Sequence, residues 1–236
     1  MMKTSKILNS LFPSLPVLIA LGGHAQTPPN PQAAPPTQQN LPAYEVKYLD
    51  LHDNKKIYLQ GQDKPFTGLA LKRYASGKPE FQMEYKDGVQ HGNTQVWWEN
   101  GNPHTLQIFD NGKSHGKTTF WYESGGKKSE AQYFQGMQHG WTLFWYKSGR
   151  KKSAQYWDQG TKTGQYQEWF DAGEDGKEPF KLQGQYKDGE KHGVWVYYNQ
   201  ETQKPESEYH MEDGKMRRLR KWDPNGNLIQ DFLVKK

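Results

Sequence analysis

The chain has 236 residues, of which 33% are apolar while aromatic residues reach 14%. That balance excludes a thick aliphatic core, so Tyr, Trp and Phe must supply the buried area while the polar tips of Tyr and Trp stay wet. A formal charge of +5 with acids and bases interspersed excludes a nucleic-acid field, and the absence of cysteine excludes disulfides, thiolate metal sites and a Cys nucleophile.

Residues 1–25 read as an export signal. Lys3 and Lys6 form a basic start, Ile7–Leu21 is mostly apolar, and Gly23-His24-Ala25 is a small-x-small cleavage site. An uncleaved anchor is the alternative, but the run is short for a span of ~20 apolar residues. Cleavage leaves a periplasmic or secreted chain that is not integral to the membrane. Residues 26–42 are rich in Pro, Gln and Ala without charge, which predicts a disordered linker. Residues 43–65 predict an N-terminal capping hairpin, with strands at Tyr44–Leu51 and Lys56–Gln60 turning at Asp53-Asn54.

From residue 66 to 216 the chain repeats itself. Gly68, Gly92, Gly116, Gly140 and Gly164 open successive units 24 residues apart, and Gly193 opens a sixth. Such a period means small units stacked on their neighbours. In the unit opened by Gly92, Asn93–Trp98 predicts a strand, Glu99-Asn100-Gly101-Asn102 a turn and His104–Phe109 the return strand. Asn-Gly is a strong hairpin signal because both residues tolerate positive φ. The opening glycines, the column of Gly77, Gly101, Gly125, Gly149 and Gly173, and the column from Gly88 to Gly214 are all expected in turns.

Aromatics recur as strictly. Trp97, Trp121, Trp145 and Trp169 stand five residues after the opening Gly; Tyr74, Trp98, Tyr122, Tyr146 and Phe170 stand six after. Tyr85, Phe109, Tyr133, Trp157 and Tyr186 end the return strands. Alternation puts the first two files on opposite faces. The face with Thr94, Val96, Thr118, Phe120, Thr142 and Phe144 is the candidate packed side. The other is polar except for Trp97, Trp121, Trp145 and Trp169, the candidate partner or ligand surface. Packing between units is the competing role for that file, although hairpins about 9–10 Å apart need intervening side chains before such rings can touch.

Copy five carries an insertion at Glu174-Asp175-Gly176-Lys177-Glu178-Pro179, and copy six has its aromatics one residue early, at Tyr197 and Tyr198. Residues 217–236 predict a C-terminal capping hairpin, turned at Asp223-Pro224-Asn225-Gly226, that keeps the array's end soluble and unpaired. Arg217, Arg218, Arg220 and Lys221 read as a solvated edge guarding the last strand. The predicted fold is all-β: a repeat array of antiparallel hairpins in a single twisted or curled meander sheet.

His91, His115, His139 and His192 precede opening glycines, which makes them turn residues bonding the loop, or an acid-sensing or anion-binding edge. Their spacing is too wide for two to share one metal. No G-x-S-x-G, H-E-x-x-H or P-loop occurs, and carboxylates form no repeated pair. The expectation is a non-catalytic chain with no cofactor and no metal.

Asp87-Gly88-Val89-Gln90-His91-Gly92 and Asn111-Gly112-Lys113-Ser114-His115-Gly116, followed by paired aromatics, resemble the bacterial variant of the MORN repeat. The entrance Pro65-Phe66-Thr67-Gly68 is similar to the way such arrays begin. Many bacterial members look like the YwqK-type antitoxin family, which implies neutralising a toxin by protein–protein binding; with an export signal, that implies an immunity-like protein. The expected function is an exported protein-interaction module. Binding of envelope glycan (peptidoglycan) or acidic lipid through aromatic and basic surface residues is the alternative.

Overall fold

A computed structural model describes residues 41–172 and 177–234. The expected signal, most of the linker, Gly173 and the first half of the copy-five insertion lie outside these residues. The strands are β1 (Ala43–Glu45), β2 (Leu49–Leu51), β3 (Ile57–Leu59), β4 (Gly68–Arg73), β5 (Pro79–Lys86), β6 (Val89–Trp97), β7 (Pro103–Asp110) and the two-residue β8 (Lys113–Ser114). Then follow β9 (Gly116–Trp121), β10 (Lys127–Phe134), β11 (Met137–Trp145), β12 (Lys151–Asp158), β13 (Thr161–Trp169), β14 (Phe180–Lys187), β15 (Glu190–Tyr198), β16 (Pro205–Glu212), β17 (Lys215–Trp222) and β18 (Leu228–Leu233). From β4 to β18 the strands lie side by side in chain order, each antiparallel to the next, with β8 as a short extension against β7. The chain is an all-β hairpin array, as its period predicts.

The expected first strand is broken. β1 leaves the hairpin and pairs in parallel with β4, a 3-10 turn spans Val46–Tyr48, and only β2 and β3 form the small separate hairpin. Tyr44 packs edge-on against the buried Phe66, with ring centroids 5.9 Å apart. β1 thereby covers the edge that β4 would otherwise expose.

Two kinds of turn alternate. Between units, Asp87-Gly88, Asn111-Gly112, Gln135-Gly136, Gln159-Gly160, Asp188-Gly189 and Asp213-Gly214 have positive φ at both residues. That is the two-residue hairpin whose twist matches the strands. At the far ends, Gly101 N–H donates to Trp98 O and Trp98 N–H to Asn102 O, both at 2.8 Å, and of Asn100 and Gly101 only Gly101 has positive φ. The Asn-Gly tip is therefore a wider turn closed by a left-handed glycine. The pair of positive-φ residues expected there sits between units instead.

The opening glycines and their histidines are not turn residues. Gly92, Gly140, Gly164 and Gly193 lie inside β6, β11, β13 and β15; Gly116 opens β9, with His115 in the break after β8. They mark bulges. Met83 pairs with Thr94 and Tyr85 with Gln90, so His91, Gly92 and Asn93 all face Glu84. The same three-against-one arrangement recurs opposite Gln132 and Tyr156. The extra residues force the strand into a conformation that glycine tolerates. On its other side the opening glycine of the first five units pairs with an aromatic of the return strand, Gly68 with Tyr85, Gly92 with Phe109, Gly116 with Tyr133, Gly140 with Trp157 and Gly164 with Tyr186, while Gly193 pairs with Met211. A ring opposite a glycine is a known way to stabilise a bare stretch of strand.

The sheet has one layer, and burial follows a row across it. Thr118, Ala131, Thr142 and Gln155 are register neighbours and all buried, as is Thr94 in the same column. This is the face expected to pack, and it is the more deeply buried one. At its C-terminal end the row reads Tyr166, Gly184, Trp195. Trp195 is 1% exposed, the largest fully buried side chain among the described residues. A Cβ on Gly184 would collide with the indole. The missing side chain lets Tyr166 and Trp195, from adjacent hairpins, stack at 5.6 Å. Copy six is not displaced: Tyr198 pairs with Pro205 as Trp97 pairs with Pro103, so Tyr198 continues the Trp file and Trp195 the Thr column.

Gly184→Val should cost about 1–3 kcal/mol by overpacking, with a changed near-ultraviolet signal from Trp195. Gly77→Ala, at a tip where φ is +82° but nothing lies within 4 Å, should cost about 1–2 kcal/mol from backbone conformation alone and leave that signal intact. Urea unfolding with near-ultraviolet dichroism reads both.

Candidate functional site

The Trp file is interleaved. Across the sheet Trp97 pairs with Pro103, Trp121 with Lys127, Trp145 with Lys151 and Trp169 with Phe180. These residues fill the gaps between hairpins. Lys127 Nζ lies 5.0 Å from the Trp145 ring and Lys151 Nζ 5.8 Å from the Trp169 ring, while Phe180 stacks on Trp169 at 5.7 Å. Trp169 is buried and Trp97, Trp121 and Trp145 are half-buried. The four indoles are thus part of a packed ladder rather than a continuous open surface. Each Lys–Trp contact is worth about 0.5–1 kcal/mol where exposed and more where dry.

The lysines are themselves held. Lys117 and Lys127 both reach Glu130 at 2.9 Å, and Lys151 reaches Glu178 at 2.9 Å. A bulge between Lys127 and Ser129 brings Lys127 and Glu130 to the same face. Burial pushes the Glu130 carboxyl up, but the hydrogen bonds from Lys117 and Lys127 outweigh it and hold the group below its ordinary value.

The neighbouring aromatic file carries a ladder of its own. Tyr74, Tyr122 and Tyr146 each donate their hydroxyl to the backbone carbonyl of the Trp 23 residues on, Trp97, Trp145 and Trp169, at 2.7, 2.7 and 2.9 Å. Lys128 and Lys152 lie over Tyr122 and Tyr146. Two members of the file, Trp98 and Phe170, have no hydroxyl to give. At position 98 the file holds Trp, whose Nε1 is buried without a hydrogen-bond partner. A cleft of about 580 Å³ opens there, between the second and third tips of the array, lined by Trp98, Trp121, Tyr122, Glu123, Lys128 and Lys147 among others. The amides of Asn100 and Asn102 cross between the tips to Glu123 O at 2.9 and 2.8 Å and fix its floor. Sequence alignment of the copies shows Trp98 and Phe170 as the departures from a Tyr column. It does not show that the column's hydroxyls bond the next unit.

The histidines sit at the opposite edge. His91, His139 and His192 place Nδ1 at 3.4, 3.1 and 3.7 Å from carboxylate oxygens of Asp110, Asp158 and Asp213. His115 instead packs against Phe134, with centroids 5.4 Å apart. Among the described residues no group of three His, Asp or Glu side chains converges to hold a metal, and no helix is long and apolar enough to cross a membrane.

The C-terminal hairpin departs from expectation. Arg218 and Arg220 do not guard an open edge. They lie on β17 and reach Asp231 of β18 at 2.5 and 3.7 Å, with Arg220 also 3.3 Å from Glu208 of β16. The hydrogen bond from Arg218 holds the Asp231 carboxyl below its ordinary value. β18 is the end of the sheet among the described residues, and all six of its side chains are exposed, including Leu228, Ile229, Phe232 and Leu233. The edge that ends the sheet is thus largely apolar.

No family model matches the chain, and no curated protein matches it.

Because the folded-state pKa of Glu130 is depressed, its stabilisation is complete above the unfolded value of about 4.3 and is lost as pH falls through the lower folded value. Glu130→Gln should therefore cost about 1 kcal/mol at pH 7, a gap that closes below about pH 4 in parallel urea titrations. Removing one ladder hydroxyl, by Tyr122→Phe or Tyr146→Phe, should cost about 1 kcal/mol each. The two effects should add, since they bridge different pairs of units.

Proposed function

We propose that this chain is an exported, non-catalytic repeat module of the MORN-variant kind that binds a protein partner by strand addition at β18. The observation that carries this reading is the open edge itself. Val234 N–H donates back to Arg217 O at 2.9 Å. In an antiparallel ladder alternate residues turn their amides outward, so Leu233 and Asp231, in the regular stretch of the pairing, present theirs away from β17. An edge strand with free amides and large apolar side chains is a ready template for another chain's strand. Stable folded proteins blunt such edges, and this one is left bare while charged pairs on the three last strands clamp it in place.

The non-catalytic reading rests on the repeats. Each recurring residue type serves the fold locally, with glycines in turns and bulges, aromatics in cross-unit packing and histidines beside turn carboxylates. An immunity-like role fits the same edge, since occluding a toxin needs affinity and shape but no chemistry. The expected export signal puts such a partner outside the cytoplasm.

A partner captured from envelope extract, then purified, should bind the wild-type chain and lose at least tenfold in affinity to Leu233→Pro. Proline there removes an outward amide and leaves the β17 ladder intact, so thermal unfolding should be unchanged. Equal affinity for both forms would reject strand addition.

A further inference from the structure

We infer that the cleft at the hairpin tips, between Trp98 and Tyr122, is a binding site for an acidic saccharide. This site is separate from β18 and does not depend on the strand-addition reading.

The cleft lies where the tyrosine ladder is interrupted. Three tyrosines of that file spend their hydroxyls on the next unit. Trp98 does not, and its indole N–H is buried with no acceptor. A buried donor left unmade is costly, which marks this junction as the irregular step of the ladder. The volume of about 580 Å³ falls within the usual range for small-ligand sites.

The lining selects the ligand's chemistry. Trp98, Trp121 and Tyr122 are flat apolar walls of the kind on which the C–H faces of pyranose rings lie. Around them stand donors: Lys128, Lys147 and Ser124. Lys117, Lys127, Lys151 and Lys181 each reach a carboxylate, whereas neither Lys128 nor Lys147 is within ion-pair distance of one among the described residues. Two uncompensated ammonium groups beside aromatic walls favour a carboxylate carried on a sugar. Bare phosphate is a poorer match, because the cleft has no arginine fork and aromatic walls offer an inorganic anion nothing. One lining residue opposes the ligand: Glu123, which brings a carboxylate to the same cleft.

That opposition supplies a test with an inverted sign. The purified protein is titrated calorimetrically with the disaccharide N-acetylglucosaminyl-N-acetylmuramic acid, with di-N-acetylchitobiose, inorganic phosphate and an acidic tetrapeptide as comparison probes. The acidic disaccharide should bind saturably and at least tenfold more tightly than the uncharged one. Lys128→Gln with Lys147→Gln should weaken it at least tenfold, Trp98→Phe should weaken it several-fold, and Glu123→Gln should tighten it two- to fivefold. Leu233→Pro should leave it unchanged. Absence of saturable binding, equal binding of the uncharged disaccharide, tighter binding of phosphate or the peptide, or indifference to the lysine pair would each overturn the assignment. The lysine and Glu123 changes are at the surface, so they remain readable if Trp98→Phe fails to fold.

Discussion

Each hairpin in this chain is held only by the hairpins beside it. Among the described residues nothing but the small β2–β3 hairpin at its start lies outside the long sheet, which has no second layer to press against, so cohesion must run sideways. It does so through a hydrogen bond repeated at every junction. The turn glycine amide of each unit donates to a carbonyl just past the previous turn: Gly88 to Phe66, Gly112 to Gln90, Gly136 to Ser114, Gly160 to Gln138, Gly189 to Lys162 and Gly214 to Lys191, all at 2.7–3.0 Å. At the opposite edge the tyrosine hydroxyls join neighbouring units in the same way. Between these two seams the strand ladders and the rings complete the contact.

That constraint explains the composition. Without a facing layer, an aliphatic side chain on either face would stay half wet. Large rings reach across the gap between strands, and lysine stems lie over them with their charged ends in water. The interior consists of small residues at the centre of the rows, such as Thr118 and Ala131, and of one aromatic knot around Trp195, where Tyr166, Tyr186 and the Lys191 ammonium close in.

Much of this is legible in the chain itself, because comparison of six copies separates what every unit needs from what one unit does. The hairpin, the packed face and the three aromatic files all follow from the columns. What the columns hide is the difference between a turn and a bulge: both want glycine, and only strand register tells Gly92 from Gly88. They hide neighbours too. Lys127 and Pro103 occupy the same column, yet one bridges two indoles and the other merely fills space. The isolated residues, Gly184 and Trp98, look like noise in an alignment. In space the first makes room for a ring and the second opens a cleft. The bare character of β18 is masked in the sequence because the charges beside it, Arg218 and Arg220, belong to the strand before it.

The unbroken order of strands also makes the sheet a measure of length. Each strand advances about 4.8 Å across the sheet, so the path from β9, beside the tip cleft, to the edge at β18 is on the order of 40 Å along the surface. Insertion or loss of one unit would change that interval by a fixed step of two strands without altering either end. Copy number in such an array therefore sets distance, and two bodies attached at the tip and at the edge would be held at a spacing that evolution can adjust in whole hairpins.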